Sequence, residues 1–178
     1  LDIDYLGAAS GYFDQVLIDR LKGECHTPIV RGEIVVEQDT GKPKFVEIAS
    51  GMWRLWRLPN EDGKWDGEFS IGVDVSYGKG ATNSTMSVVD KKTGEKVASA
   101  ASAFVEPHKW SEHAVNACKW WNNAYLIWEA NGPGRIFGDN VVELGYRNFY
   151  YRQKRQTLGK DSTETYGWQN NQGGLVDL

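Results

Sequence analysis
Two acidic side chains stand at positions where burial or repulsion would be costly. Asp74 sits inside the apolar run FSIGVDVS (69–76), and Glu129 closes the apolar run AYLIWE (124–129) just before an Asn-Gly-Pro-Gly turn. In strands, side chains alternate between faces. Ile71, Val73 and Val75 then share one face, with Gly72 and Asp74 on the other, and Tyr125 and Ile127 lie on the side of Glu129. A lone carboxylate in such a strand is expensive to bury unless it is paired or binds a cation. If the two strands are neighbours, the acids meet at one end of the sheet. Carboxylates about 4–6 Å apart repel and raise one pKa unless a divalent metal sits between them. Hard oxygen donors without Cys or His alongside suit Mg2+ or Mn2+ rather than Zn2+. A two-metal site of that kind supports phosphoryl transfer. Each acid also has an ordinary reading: a solvated strand end or helix cap for Glu129, a structural hydrogen bond for Asp74. Their types alone do not decide.

The elements that must position these acids are legible. STMSVVD (84–90) and KVASAASAF (96–104) read as further strands joined by the tight KKTGE loop. Residues 107–122 place Trp110, Ala114, Ala117, Cys118 and Trp121 on one helical face, with Pro107 in the first turn. Residues 134–145 read as a helix closed by Gly145, and NFYYR (148–152) as a fifth strand. The order β-β-β-α-β-α-β predicts an α/β fold with a mixed sheet and helices on both of its faces. Upstream, 11–22 reads as a short helix and 28–58 as β-rich, with a polar loop at 59–68 marking a soft boundary.

Composition narrows the function classes. The chain has 178 residues, 40% hydrophobic and 25% charged, which is an ordinary globular balance. No apolar run approaches the roughly 20 residues of a membrane span, so no membrane partner is expected. The net charge of −4 means that any nucleic-acid contact must come from a local patch. One such patch is visible: Arg147, Arg152, Lys154, Arg155 and Lys160 follow Gly145 without an intervening acid, interleaved with Tyr146, Phe149, Tyr150 and Tyr151. Lys79, in the loop after Asp74, is a second candidate phosphate contact; the alternative for each is a solvated basic side chain. Cys25 and Cys118 lack CxxC spacing and are expected as free, buried thiols. His108 and His113 are five apart and form no helical metal pair. The stretch GVDVSYGKGATNS also leaves open an ATP-binding domain of the actin and Hsp70 kind, and a non-catalytic DNA or portal docking module is a third reading.

Several ordered blocks resemble one family. YLGAASGYFD, ECHTPIVRGEI, IGVDVSYGKGATNSTMSVVDKKTGEKVAS, AYLIWEANGPGRIFGDNVVELGYRNFYYR and YGWQNN are together similar to the C-terminal nuclease domain of bacteriophage terminase large subunits. The resemblance implies a ribonuclease-H-like mixed β-sheet flanked by helices, with a β-rich N-terminal extension. It implies a metal-dependent endonuclease, with Asp74 and Glu129 as catalytic metal ligands for Mg2+ or Mn2+. It further implies double-stranded DNA as substrate, and as partners an N-terminal ATPase motor of the same parent chain, the portal and the small terminase subunit, all in the host cytoplasm. Residues 1–68 become the linker region and lead-in from that motor, and 69–178 the nuclease domain. The family also carries a third acidic cluster downstream. None of Glu143, Asp161, Glu164 or Asp177 stands in that context, so the domain is expected to be C-terminally truncated.

Overall fold
A computed structural model of the chain describes residues 14–152 and 165–168. Its elements run α1 (Gln15–Gly23), β1 (Val30–Val36), β2 (Pro43–Glu47), β3 (Trp53–Leu55), β4 (Phe69–Asp74), β5 (Ser84–Asp90) and β6 (Lys96–Ser102). They continue with α2 (Pro107–Trp120), β7 (Tyr125–Trp128), α3 (Pro133–Glu143), β8 (Tyr151–Arg152) and β9 (Thr165–Tyr166). The main sheet has seven strands in the order β2-β1-β3-β6-β5-β4-β7. Every pair is antiparallel except β4 with β7, which is parallel because α2 carries the chain back across the sheet. An antiparallel β4-β5-β6 meander with β7 parallel beside its first strand is the ribonuclease-H-like arrangement. β1–β3 continue that same sheet beyond β6.

Alternation along the strands makes one face apolar and the other polar. Trp53, Ala100, Met86, Val73 and Trp128 form one row across the sheet, and Leu55, Ala98, Val88, Ile71 and Leu126 the next. Every residue of both rows is buried. Between them runs Arg54, Ser99, Ser87, Gly72 and Ile127, none of which is buried. α2 and α3 both cover the apolar side. Trp121 at the end of α2 meets Trp53 at 5.1 Å between ring centroids, and Phe137 of α3 meets Trp128 at 5.6 Å. The Asn140 amide joins the two helices by donating to Ser111 Oγ (2.6 Å) and to the His108 carbonyl (2.9 Å). The expectation of helices on both faces is therefore corrected for the described residues: only one face is apolar enough to bind a helix. α1, beginning at an Asp14 cap, buries none of its residues.

The fifth strand also differs from its expectation. Leu126 donates to the Asn148 carbonyl and Tyr150 to that of Leu126, so residues 148–150 line the first half of β7. The chain then leaves to pair β8 with β9, and its return segment lines the second half. There Trp168 donates to the Trp128 carbonyl at 2.8 Å and accepts from Ala130 at 2.6 Å. The polar loop at 59–68 is anchored from two sides. Asn122 donates to the Trp65 and Gly67 carbonyls, and the Lys91 amide donates to the Glu68 carbonyl at 2.9 Å. Cys118 is buried and free, as expected, whereas Cys25 is free and exposed, just after a helix that buries none of its own residues.

Candidate active site at the acidic end of the sheet
Asp74 is the last residue of β4, and Val73 pairs in parallel with Trp128. One step further along both strands brings Asp74 beside Glu129. Since Gly72 pairs with Ile127, both acids project from the polar face, as the alternation argument required. They rim a cavity of about 500 Å³ whose other walls are Gly72, Val73, Ile127, Trp128, Tyr150 and Trp168. Asp74 is exposed, and no described residue donates a hydrogen bond to its carboxylate or forms an ion pair with it. Glu129 is half-buried and accepts at Oε1 from the Asn131 side-chain amide at 2.9 Å. Two hard carboxylates side by side on adjacent strands match the donor chemistry of a magnesium-type ion. Among the described residues no group of three or more His, Cys, Asp or Glu side chains is placed to hold a metal. Glu143 is exposed at the far end of α3, and Asp161, Glu164 and Asp177 lie outside the described residues.

The backbone under Glu129 is held on three sides: by β4, by Trp168 and by α3. A Cβ on Gly134 would stand 1.8 Å from the Glu129 carbonyl oxygen, so only glycine lets the helix start this close. Gly132, at φ +51°, is the N-cap and Pro133 the first helical residue. Behind the acids, Trp128 fills the space between Phe137, Phe149 and Tyr166, and fixes the end of β7. Tyr166 in turn donates to Asp139 of α3. That bond is the main reason the phenol is pushed up to about 12, with burial adding to it. The loop leaving Asp74 is closed by serines: the Ser76 amide donates to buried Ser84 Oγ at 2.9 Å, and Ser76 Oγ donates to the Thr82 carbonyl at 3.0 Å.

The described basic candidates, Lys79, Arg147 and Arg152, lie on different elements. Lys79 is exposed in the loop that leaves β4 at Asp74. Arg147 lies beyond the C-terminus of α3, away from the acids. Its guanidinium donates to the carbonyls of Val142 and Tyr146, each at 2.8 Å, and so closes the helix end. Arg152 is half-buried in β8, while Lys154 and Arg155 fall outside the described residues. The sequence reading assigned no role at the acids to Asn131 or Trp168, and took Tyr150 only as one of the aromatics of the basic stretch. Asn131 looked like an ordinary turn residue, and Trp168 is brought to Glu129 only by the return of the chain from β9.

No protein-family model matches the chain, and no curated protein matches it. Among solved structures the chain is similar to the large terminase nuclease from thermophilic phage G20c. The form with bound magnesium has a TM-score of 0.49 and 15% identity, over 71% of this chain and 58% of that one. The zinc-bound form gives 0.47 and 14% over 68% and 58%, and the cobalt-bound form 0.48 and 14% over 71% and 57%. The chain thus spans less than two thirds of the length of these structures.

Proposed function
We propose that the chain is the metal-dependent endonuclease domain of a viral DNA-packaging terminase, cutting concatemeric double-stranded DNA. The carrying observation is the parallel β4–β7 pair, which delivers Asp74 and Glu129 side by side on the open face of the sheet. The ordered sequence blocks support the family, and the hard-oxygen donor set supports Mg2+ or Mn2+. Asp74 and Glu129 would hold the ion, which when bound polarises a phosphoryl oxygen and acidifies a water. The residues of the chain orient that chemistry. Asn131 donates to one oxygen of Glu129, and Trp168 and Gly134 hold the backbone on either side of it. Lys79 would meet a phosphate close to the acids, and Arg152, Lys154 and Arg155 the backbone further along the DNA; Arg147 serves first as the closure of α3. On this reading the working partners are an ATPase motor in the parent chain, the portal and the small terminase subunit, in the host cytoplasm.

A plasmid-nicking assay in EDTA, Mg2+ and Mn2+, paired with calorimetric Mn2+ titration, tests the reading. Asp74→Asn and Glu129→Gln should each abolish metal-dependent nicking and weaken Mn2+ binding while leaving the melting temperature at or above that of the wild type, since each removes like-charge repulsion. Unchanged cleavage and Mn2+ binding in both variants would refute it.

A further inference from the structure
The turn that follows Glu129 is closed by its own backbone. Gly134 donates to the Asn131 carbonyl at 3.0 Å and Arg135 to that of Gly132 at 3.2 Å, while Ala130 is tied to Trp168. Gly132, at φ +51°, and Pro133 supply the backbone angles. Asn131 is exposed, yet its side-chain amide folds back onto Glu129 Oε1 at 2.9 Å. An ionised carboxylate only accepts, so the amide presents its nitrogen to it. With the turn already closed by the backbone, this contact acts on the carboxylate. The two acids differ in that respect. Glu129 has one more side-chain torsion than Asp74, and a longer side chain loses more rotamer freedom when it is fixed. Glu129 receives this hydrogen bond, whereas no described residue donates to the Asp74 carboxylate. The same turn meets the loop that leaves Asp74: the Tyr77 hydroxyl stands 3.7 Å from where a Cβ on Gly132 would be.

We infer that Asn131 is a positioning residue for the acid site: its amide presets the Glu129 carboxylate, so that a divalent ion meets one ligand already oriented and Asp74 adjusts to it. The inference rests on the metal reading of the two acids. Hydrogen-bonded partners of this kind hold metal-ligating side chains in place, and their loss typically costs about 10–100-fold in metal affinity. The hydrogen bond itself is exposed, so water replaces it at little cost to the fold. A residue that acts through Glu129 should therefore change ion binding without changing stability.

The test is Mn2+ binding to the full chain by calorimetry, with melting in EDTA as the measure of the fold and Asp74→Asn as the reference. Asn131→Ala removes the donor. Asn131→Asp keeps the shape and the turn preference, but once ionised it only accepts. Each should weaken Mn2+ binding about tenfold or more, and Asn131→Ala should melt as the wild type does. Wild-type affinity in both variants overturns the inference, and leaves the metal reading standing where Asp74→Asn still weakens binding. Tighter binding by Asn131→Asp overturns it too, because position 131 would then supply a ligand itself. A clear drop in melting temperature in both variants assigns Asn131 to the turn instead. Mn2+ binding that is absent from the wild type, or indifferent to Asp74→Asn, overturns the metal reading and this inference with it.

Discussion
Replacing Gly134 with alanine tests the link between helix packing and the acid site. The added Cβ would lie 1.8 Å from the Glu129 carbonyl oxygen and 2.9 Å from its carbon. Ordinary carbon–oxygen contact begins near 3.4 Å, so the helix start and the β7 end must separate by more than an ångström. The obstruction is backbone held by Trp168 on its other side, so no side-chain rotation relieves it. Overpacking of this kind costs about 1–3 kcal/mol, and a backbone obstruction places it at the upper end. Alanine is favoured over glycine inside a helix by about 1 kcal/mol, and less in a first turn, where fewer backbone bonds depend on it. The clash therefore wins, by about 2 kcal/mol. For a chain of this size that lowers the melting temperature by roughly 4–8 °C. The same displacement moves the Glu129 carboxylate, so Mn2+ affinity should fall together with stability. Gly23→Ala is the control, because nothing lies within 4 Å of that Cβ and its backbone is helical; it should be neutral or slightly stabilising. Calorimetry on both variants decides the matter. A Gly134→Ala chain that melts at or above the wild-type temperature would refute the argument that α3 starts against Glu129 because position 134 has no side chain.

Other consequences can be read separately. The Arg57 guanidinium, with the backbone amides of Lys92 and Thr93, holds the Asp90 carboxyl below its ordinary value. A depressed carboxylate stabilises the fold above its unfolded pKa, near pH 4, and loses that contribution as pH falls through its folded value. Asp90→Asn should thus be clearly less stable than wild type at neutral pH, and the gap should narrow as the pH falls below the ordinary carboxylate range in denaturant titrations; a gap independent of pH would contradict the ion pair's role. Burial pushes the Cys118 thiol up to about 12, whereas Cys25 is exposed. A thiol reagent at mildly alkaline pH should modify Cys25 alone in the folded chain and both cysteines after denaturation, counted by mass; rapid labelling of Cys118 without unfolding would show that α2 does not stay packed.

The apolar alternation of 69–76 and 124–129, the KKTGE hairpin and the Pro107 and Gly145 helix limits are local signals. Each depends on side-chain periodicity or on a backbone preference within a few residues, so β4–β7 and both packed helices could be read directly. The same alternation set Asp74 opposite Ile71, Val73 and Val75 and put Glu129 on the side of Tyr125 and Ile127, so that the acids meet if the two strands are neighbours. The adjacency itself was not local. It comes from α2 crossing the sheet, and the burial of Trp110 and Trp121 enforces it. The one-sided helix layer likewise follows from a row, Arg54, Ser99, Ser87, Gly72 and Ile127, that exists only once five strands are in register. Arg147 reads as a DNA contact in a basic stretch; that its guanidinium also donates to the Val142 carbonyl at the end of α3 is visible only in the tertiary structure. The sequence by itself determined which residues alternate, turn and carry charge, because those are properties of short windows. Only the tertiary structure decided what stands beside Glu129, because Trp168 reaches it from far along the chain through backbone hydrogen bonds, which nearly every residue type can form and no side-chain pattern announces.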